Sequence, residues 1–422
     1  MLQNPFYLFF TACLGLFFWA GYRRIFAEVP YRHSLWSFLG EECAQGQRRA
    51  IVRALLAGLP GDSGAMAWIL TMAALCLGGA GALFWYLVFS LLWLHPLGAL
   101  AGLWCYYQPG CGGRVELSAL LEGILCRKRA RARPGLGRLL RWLQTLALCG
   151  MLPLLFRILA SPSAPARGAG LLPWLVVLLA LWLLCRLVGE RGETVLSLLF
   201  LLLLAAALLG NLPNLIPAVK LVLLDAFDRS RFLFSLSGAG LAAALQAGGA
   251  AGCGGALLRT LSAREEGPSF AHPAQAAFYE ELRGLLQLTV QLALGLLFLC
   301  ARLVPEDNRW PQTCLWAFLC LFGLLWLGRA VRALARPEGR RCGLLCFGLV
   351  GAAAVWDIWK GTALLPGLSG GAAGLASLAL AGLLLFDSNW YFLLLEHYRD
   401  VHIWHVTPHP DLMQTEMERK NM

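Results

Sequence analysis

The sequence predicts an all-α polytopic membrane protein of about 11 transmembrane helices, built as a five-plus-five inverted repeat with one extra N-terminal helix. Three observations predict it. Of 422 residues, 59% are hydrophobic and only 14% charged, where soluble domains run at about 45–50% apolar and about 25% charged. The stretches 171–185, 195–209, 285–300 and 314–327 carry almost no charge over most of a bilayer's thickness. Two of the apolar stretches are interrupted by Gly-rich runs, the first with a Pro, at corresponding places in two halves of the chain.

Taken in order, the spans lie near 5–21, 54–77, 80–106, 139–160, 171–189, 193–211, 235–257, 284–304, 313–333, 342–363 and 365–386. The first lacks a positive leader and is followed by Arg23 and Arg24. That is the wrong polarity for a cleaved signal peptide, and fits a span whose N-terminus lies outside. Alternating from there, the inside segments with their flanking span ends are 22–53, 107–141, 186–191, 258–283, 329–341 and the tail from 387. They hold 27 of the 35 Lys and Arg, against five in the outside segments. Cytoplasmic loops collect basic residues. The chain is therefore expected in a cell membrane (inner or plasma), as one domain over 1–386 with a cytoplasmic tail over 387–422. The same distribution makes the net charge of +11 a topology signal rather than a footprint for nucleic acid. The densest run, RKRARAR at 127–133, is a topology anchor or a patch for lipid headgroups.

Fourteen Cys are scattered without a CxxC, so neither a zinc site nor a redox motif is expected. No nucleophile–base pair or phosphate-binding loop appears, and neither an enzyme nor a cofactor is expected.

The breaks carry the functional expectation. GLPGDSG occupies 58–64 and AGGAAGCGG occupies 247–255. Pro removes a backbone donor and Gly weakens a helix, so both segments can unwind. Unwound backbone within a bilayer needs protein or a cavity to satisfy it. With the first span set aside, the breaks open the halves 54–211 and 235–386, and five spans reverse the orientation of the second. This places a substrate site at mid-membrane between Gly61, Asp62, Ser63 and Gly64 on one side and Gly248, Gly249 and Gly252 on the other. Close-packing glycines at helix crossings are the alternative.

Several motifs resemble those of the alanine/glycine:cation symporter family. GGAGALFW at 78–85 resembles the family's GGPGAVFW and likewise follows a broken helix. NLIPA at 214–218, with Ala226 and Phe227, resembles its IPxxF…AF region. Residues 237–250 resemble its GSTVAAAIRYGVARG helix, and REEGPSFAHP at 264–273 resembles its SNEAGLGSAP. VWDI at 355–358 and LPGL at 365–368 resemble VWDIADIxNGLMAIPNL. The likeness covers most of the chain in order. It implies a ten-helix inverted-repeat fold with one extra N-terminal helix, and sodium-driven uptake of alanine or glycine. It also makes Trp356 a candidate wall of the substrate cavity, interfacial anchoring being the other role for such a Trp.

The departures bear on the ion. The family's GTGN falls on GAMA at 64–67, so its Asn is replaced by Ala67. Its GNMVQ has no counterpart in 146–158, where Arg157 stands, and no Ser or Thr occurs between Cys314 and Gly361. Hard cations need several oxygen ligands, so a standard sodium site is not expected. Asp62, within the first break, is the candidate for ion coupling by proton loading, with an N-cap for the following half-helix as its other role. Asp357 and Lys360, three apart on one helix, are expected to pair. His95 before Pro96 marks a kinked packing site or a proton carrier. The four His of the 397–409 tail belong to a solvated segment or a metal site.

Two functions follow as expectations. One is secondary transport of small neutral amino acids, with protons or exchange in place of sodium. The other is a transport-incompetent relative acting as a membrane sensor or partner subunit.

Overall fold

The computed structural model describes residues 45–59, 64–92, ten positions between 142 and 156, Leu183, 189–228, 273–301, 310–334 and 341–360. Among the described residues the regular structure is all helical, with no strand. The helices are α1 (Gln45–Gly58), α2 (Gly64–Gly78), α3 (Gly81–Leu92), α4 (Glu190–Gly210), α5 (Leu212–Ala226), α6 (Pro273–Ala301), α7 (Trp310–Leu334) and α8 (Arg341–Lys360). Two segments, Arg191–Gly210 and Phe278–Cys300, are long and apolar enough to cross a membrane. The expected spans at 5–21, 235–257 and 365–386, most of those at 139–160 and 171–189, and the tail lie outside the described residues. His95 and the 127–133 run do as well.

The span expected over 54–77 is two helices, α1 and α2, either side of GLPGDSG. α1 also reaches back to Gln45, into what was expected as a loop. α5 was not expected, because NLPNLIP at 211–217 resembles loop sequence. Asn211 closes α4 with its backbone N–H on the Leu208 carbonyl and its amide on Ala207. Its own carbonyl then accepts from Asn214 and Leu215 and starts α5. Pro213 falls in the first turn of α5, where no donor is needed. Pro217 lies inside the helix and removes only one bond.

The core is aromatic at its centre. Phe200 of α4 packs on Phe322 and Phe318 of α7, at ring separations of 4.7 and 6.4 Å. Trp68, Trp326 and Leu294 are fully buried with them. The outward faces are apolar too: Leu202, Ile216, Leu224, Leu349 and Trp359 are exposed. A continuous apolar exterior is costly in water and natural against lipid.

α3 is anchored by its first residues. Gly79 takes a φ of 78° to turn the chain. The Gly81 N–H then donates to Asp225 Oδ2 at 2.9 Å, and Trp85 Nε1 donates to the Ala226 carbonyl at 2.9 Å. The Phe84 and Trp85 rings meet Phe227 at 5.2 and 6.0 Å. The GGAGALFW segment and the Ala226–Phe227 pair, 141 residues apart, are thus in contact.

A Cβ at Gly81 would stand 2.5 Å from the Asp225–Ala226 backbone. Gly81→Ala is therefore expected to destabilise by about 2–3 kcal/mol, and Asp225→Ala by about 1 kcal/mol through the lost cap. Thermal unfolding in detergent micelles, with Gly210→Ala as the unhindered control, measures both.

Candidate functional site

An α-helix ends with carbonyls that have no partner of their own. At the end of α1, where the first break begins, side chains from other helices supply the donors. Ser197 Oγ donates to the Leu56 carbonyl at 2.6 Å and lies 2.9 Å from the Glu193 carbonyl. Thr194 Oγ1 stands 3.5 Å from the Arg53 carbonyl. Arg329 Nη2 lies 3.4 Å from the Ala57 carbonyl and 2.8 Å from Glu193 Oε2. Arg329 and Glu193 are each only 7% exposed. The Arg283 guanidinium, 3.5 Å from Glu280, fills the space beside Gly58 where a side chain would otherwise stand. Two guanidinium groups therefore face the negative end of the α1 dipole.

These contacts fix directions. Arg53 with Thr194, and Leu56 with Ser197, make α1 and α4 parallel. Phe200 with Phe322, and Glu193 with Arg329, make α4 and α7 antiparallel. Gly64, which opens α2, meets the Phe322 ring at the middle of α7, whereas the end of α1 stands near the start of α4 and near the end of α7. The α1 carbonyls need polar partners, and apolar helices carry those near their ends.

The middle of the bundle holds a different polar group. Arg283 abuts Gly58 at one level, and Gly295 abuts Leu83 at another. α6 therefore reaches from the level of the end of α1 to that of the start of α3, packed along α2 between them. In that interval lie Thr71 of α2, Tyr86 and Ser90 of α3, and Gln287 and Gln291 of α6, all 0% exposed. The two Gln flank the centre of the 278–300 apolar segment. Each pair is spaced four apart and shares a helix face. The Tyr86 hydroxyl lies beside the Thr71 and Ser90 side chains without reaching hydrogen-bond geometry. Among the described residues, the hydroxyls of Thr71, Tyr86 and Ser90 and both amide atoms of Gln291 meet no partner at full hydrogen-bond geometry. Each such buried orphan costs about 1–3 kcal/mol, a cost that a polar guest between these helices removes.

Of the expected site residues, Gly64 packs against the Leu59 carbonyl and the Phe322 ring, where a Cβ would not fit. Ala67 is buried one turn further along α2. Gly61, Asp62, Ser63, Gly248, Gly249 and Gly252 lie outside the described residues. Trp356 is 48% exposed on α8. Lys360 Nζ stands 5.4 Å over its ring and 5.3 Å over that of Trp359. This cation–π cluster takes the place of the expected Asp357–Lys360 pair, since Asp357 turns inward and is 5% exposed.

Sequence reasoning missed the five-residue polar group. Its signal was present: Gln287 and Gln291 are the only amides in the 285–300 run, at helical spacing. It also counted Arg329 only among the basic residues at the inside end of a span. Among the described residues no cluster of His, Cys, Asp or Glu could hold a metal ion. No family model matches the chain, and no curated protein matches it.

Replacing an unpartnered buried amide or phenol by an apolar side chain of similar shape removes an orphan without opening a cavity. Gln291→Leu and Tyr86→Phe are expected to leave thermal stability unchanged or to raise it by up to about 1 kcal/mol. A loss beyond about 2 kcal/mol in either would mean that these groups are partnered in the protein.

Proposed function

We propose that the chain is a multi-pass membrane transporter of small neutral amino acids, divergent from the alanine/glycine symporters. The observation that carries this is the group of neutral hydroxyls and amides buried at mid-helix with unpartnered atoms. Polar groups at such depth are expensive and by default mark a substrate or ion path. Hydroxyls and amide N–H groups suit a carboxylate, and amide oxygens suit an ammonium, so an alanine- or glycine-like zwitterion matches the set. The full count of eleven spans, the inverted repeat, the outside N-terminus and the cytoplasmic tail belong to the same proposal. So does Asp62 as proton carrier, in the segment joining α1 to α2.

One observation favours a second function. The buried Arg329–Glu193 pair fastens α1, α4 and α7 together, which suits a static sensor or partner subunit.

Counterflow of labelled alanine or glycine into proteoliposomes is expected, and Gln291→Leu should reduce it at least tenfold. Uptake should persist without sodium under an inward proton gradient and fall on Asp62→Asn. A folded protein that shows no counterflow across a panel of small amino acids, yet gains thermal stability with one of them, would be the sensor. One that shows neither would be a scaffold.

A further inference from the structure

We infer that the Arg329 guanidinium is a tethered cation. It fills an oxygen-lined position for a small monovalent cation at the end of α1, so the wild-type protein binds no free ion there. Removing the side chain should turn the position into a working cation site.

The oxygens are those a hard cation takes. Glu193 Oε2 and the Ala57 carbonyl lie 2.8 and 3.4 Å from Arg329 Nη2. The Leu56 carbonyl and Ser197 Oγ, 2.6 Å from each other, sit within one helical turn of them. The set combines one carboxylate, two carbonyls at the negative end of a helix dipole, and a hydroxyl. A buried carboxylate left without a partner is strongly unfavourable, so something positive must stand opposite Glu193. Both side chains are 7% exposed, so that positive charge is held out of bulk water. A guanidinium suits the place because it is delocalised, weakly hydrated and permanently charged. A dissociable ion must shed its water on every visit, whereas a tethered one does not. Arg283 beside Gly58 is balanced by Glu280 at 3.5 Å and remains so when Arg329 is removed.

The inference does not depend on transport. If the chain does transport, a charge that cannot leave cannot couple movement to a sodium gradient at this position.

Thermal unfolding of the purified full-length protein tests it, in sodium chloride against choline chloride at constant ionic strength, and with low-millimolar guanidinium chloride. Wild type should give the same midpoint in all three, to within about 1 °C. Arg329→Ala should unfold earlier in choline and recover by about 3 °C or more, saturably, with sodium or guanidinium. The double variant Arg329→Ala/Glu193→Gln should lose that recovery. An Arg329→Ala protein with no saturable response would overturn the inference. So would a wild-type sodium response that Glu193→Gln abolishes. Should Arg329→Ala fail to fold, Arg329→Gln takes its place with the same expected recovery. Should both fail, the wild-type titration decides: a flat response upholds the tethered charge, and a Glu193-dependent one refutes it. Because no flux is read, these outcomes stand apart from the success or failure of counterflow.

Discussion

A helix that stops inside an apolar bundle must have its last carbonyls satisfied, and much of the arrangement around α1 follows from that requirement. Water is not available to a buried terminus, so the donors come from side chains of other helices. α4 supplies Ser197 and Thr194, and α7 supplies Arg329. Once a guanidinium is buried for that purpose, a carboxylate must be buried with it, and Glu193 lies two turns before Phe200 on α4. The register of α4 against α7 is then set twice over, by an ion pair and by stacked rings. Losing one partner of such a pair costs about 3–5 kcal/mol, enough to hold three helices in place.

Polar chemistry is thereby separated into two layers. Charges and the end of α1 lie toward the ends of α4 and α7, where Arg329, Glu193 and Ser197 engage one another and the α1 carbonyls. Neutral hydroxyls and amides lie at the middle, where Thr71, Tyr86, Ser90 and Gln291 have atoms that no other described residue bonds. A neutral site at depth avoids the desolvation cost that a charged one carries, yet can still recognise a dipolar guest. The outer layer fixes the frame, and the inner layer is where a solute has something to gain.

Part of this was legible in the amino-acid sequence, and the physics explains which part. Long apolar runs announce helices, so α4, α6, α7 and α8 match the expected spans to within a few residues, α6 apart, which starts earlier. GLPGDSG announces a break because Pro and Gly act locally. α5 escaped notice because Pro213 and Pro217 signal a stop unless the first lies in the opening turn, and only the cap at Asn211 reveals that it does. Arg329 was counted only as a topology charge at a span's inside end, because a sequence shows that a residue is basic, not that Glu193, 136 positions away, has come to neutralise it. For Trp356 the likeness suggests a cavity wall and its chemistry an interfacial anchor, and which face of α8 it occupies is decided by packing that no single segment encodes.

The central claim is that the unpartnered groups between α2, α3 and α6 hold a polar guest. Experimental density for the wild-type protein in a lipid nanodisc with saturating alanine or glycine tests it most directly. A discrete feature between Tyr86 and Gln291, within hydrogen-bond distance of both and changed when the amino acid is omitted, is the predicted result. Side chains of Thr71, Tyr86, Ser90 and Gln291 closed directly upon one another, with no density between them, would contradict it.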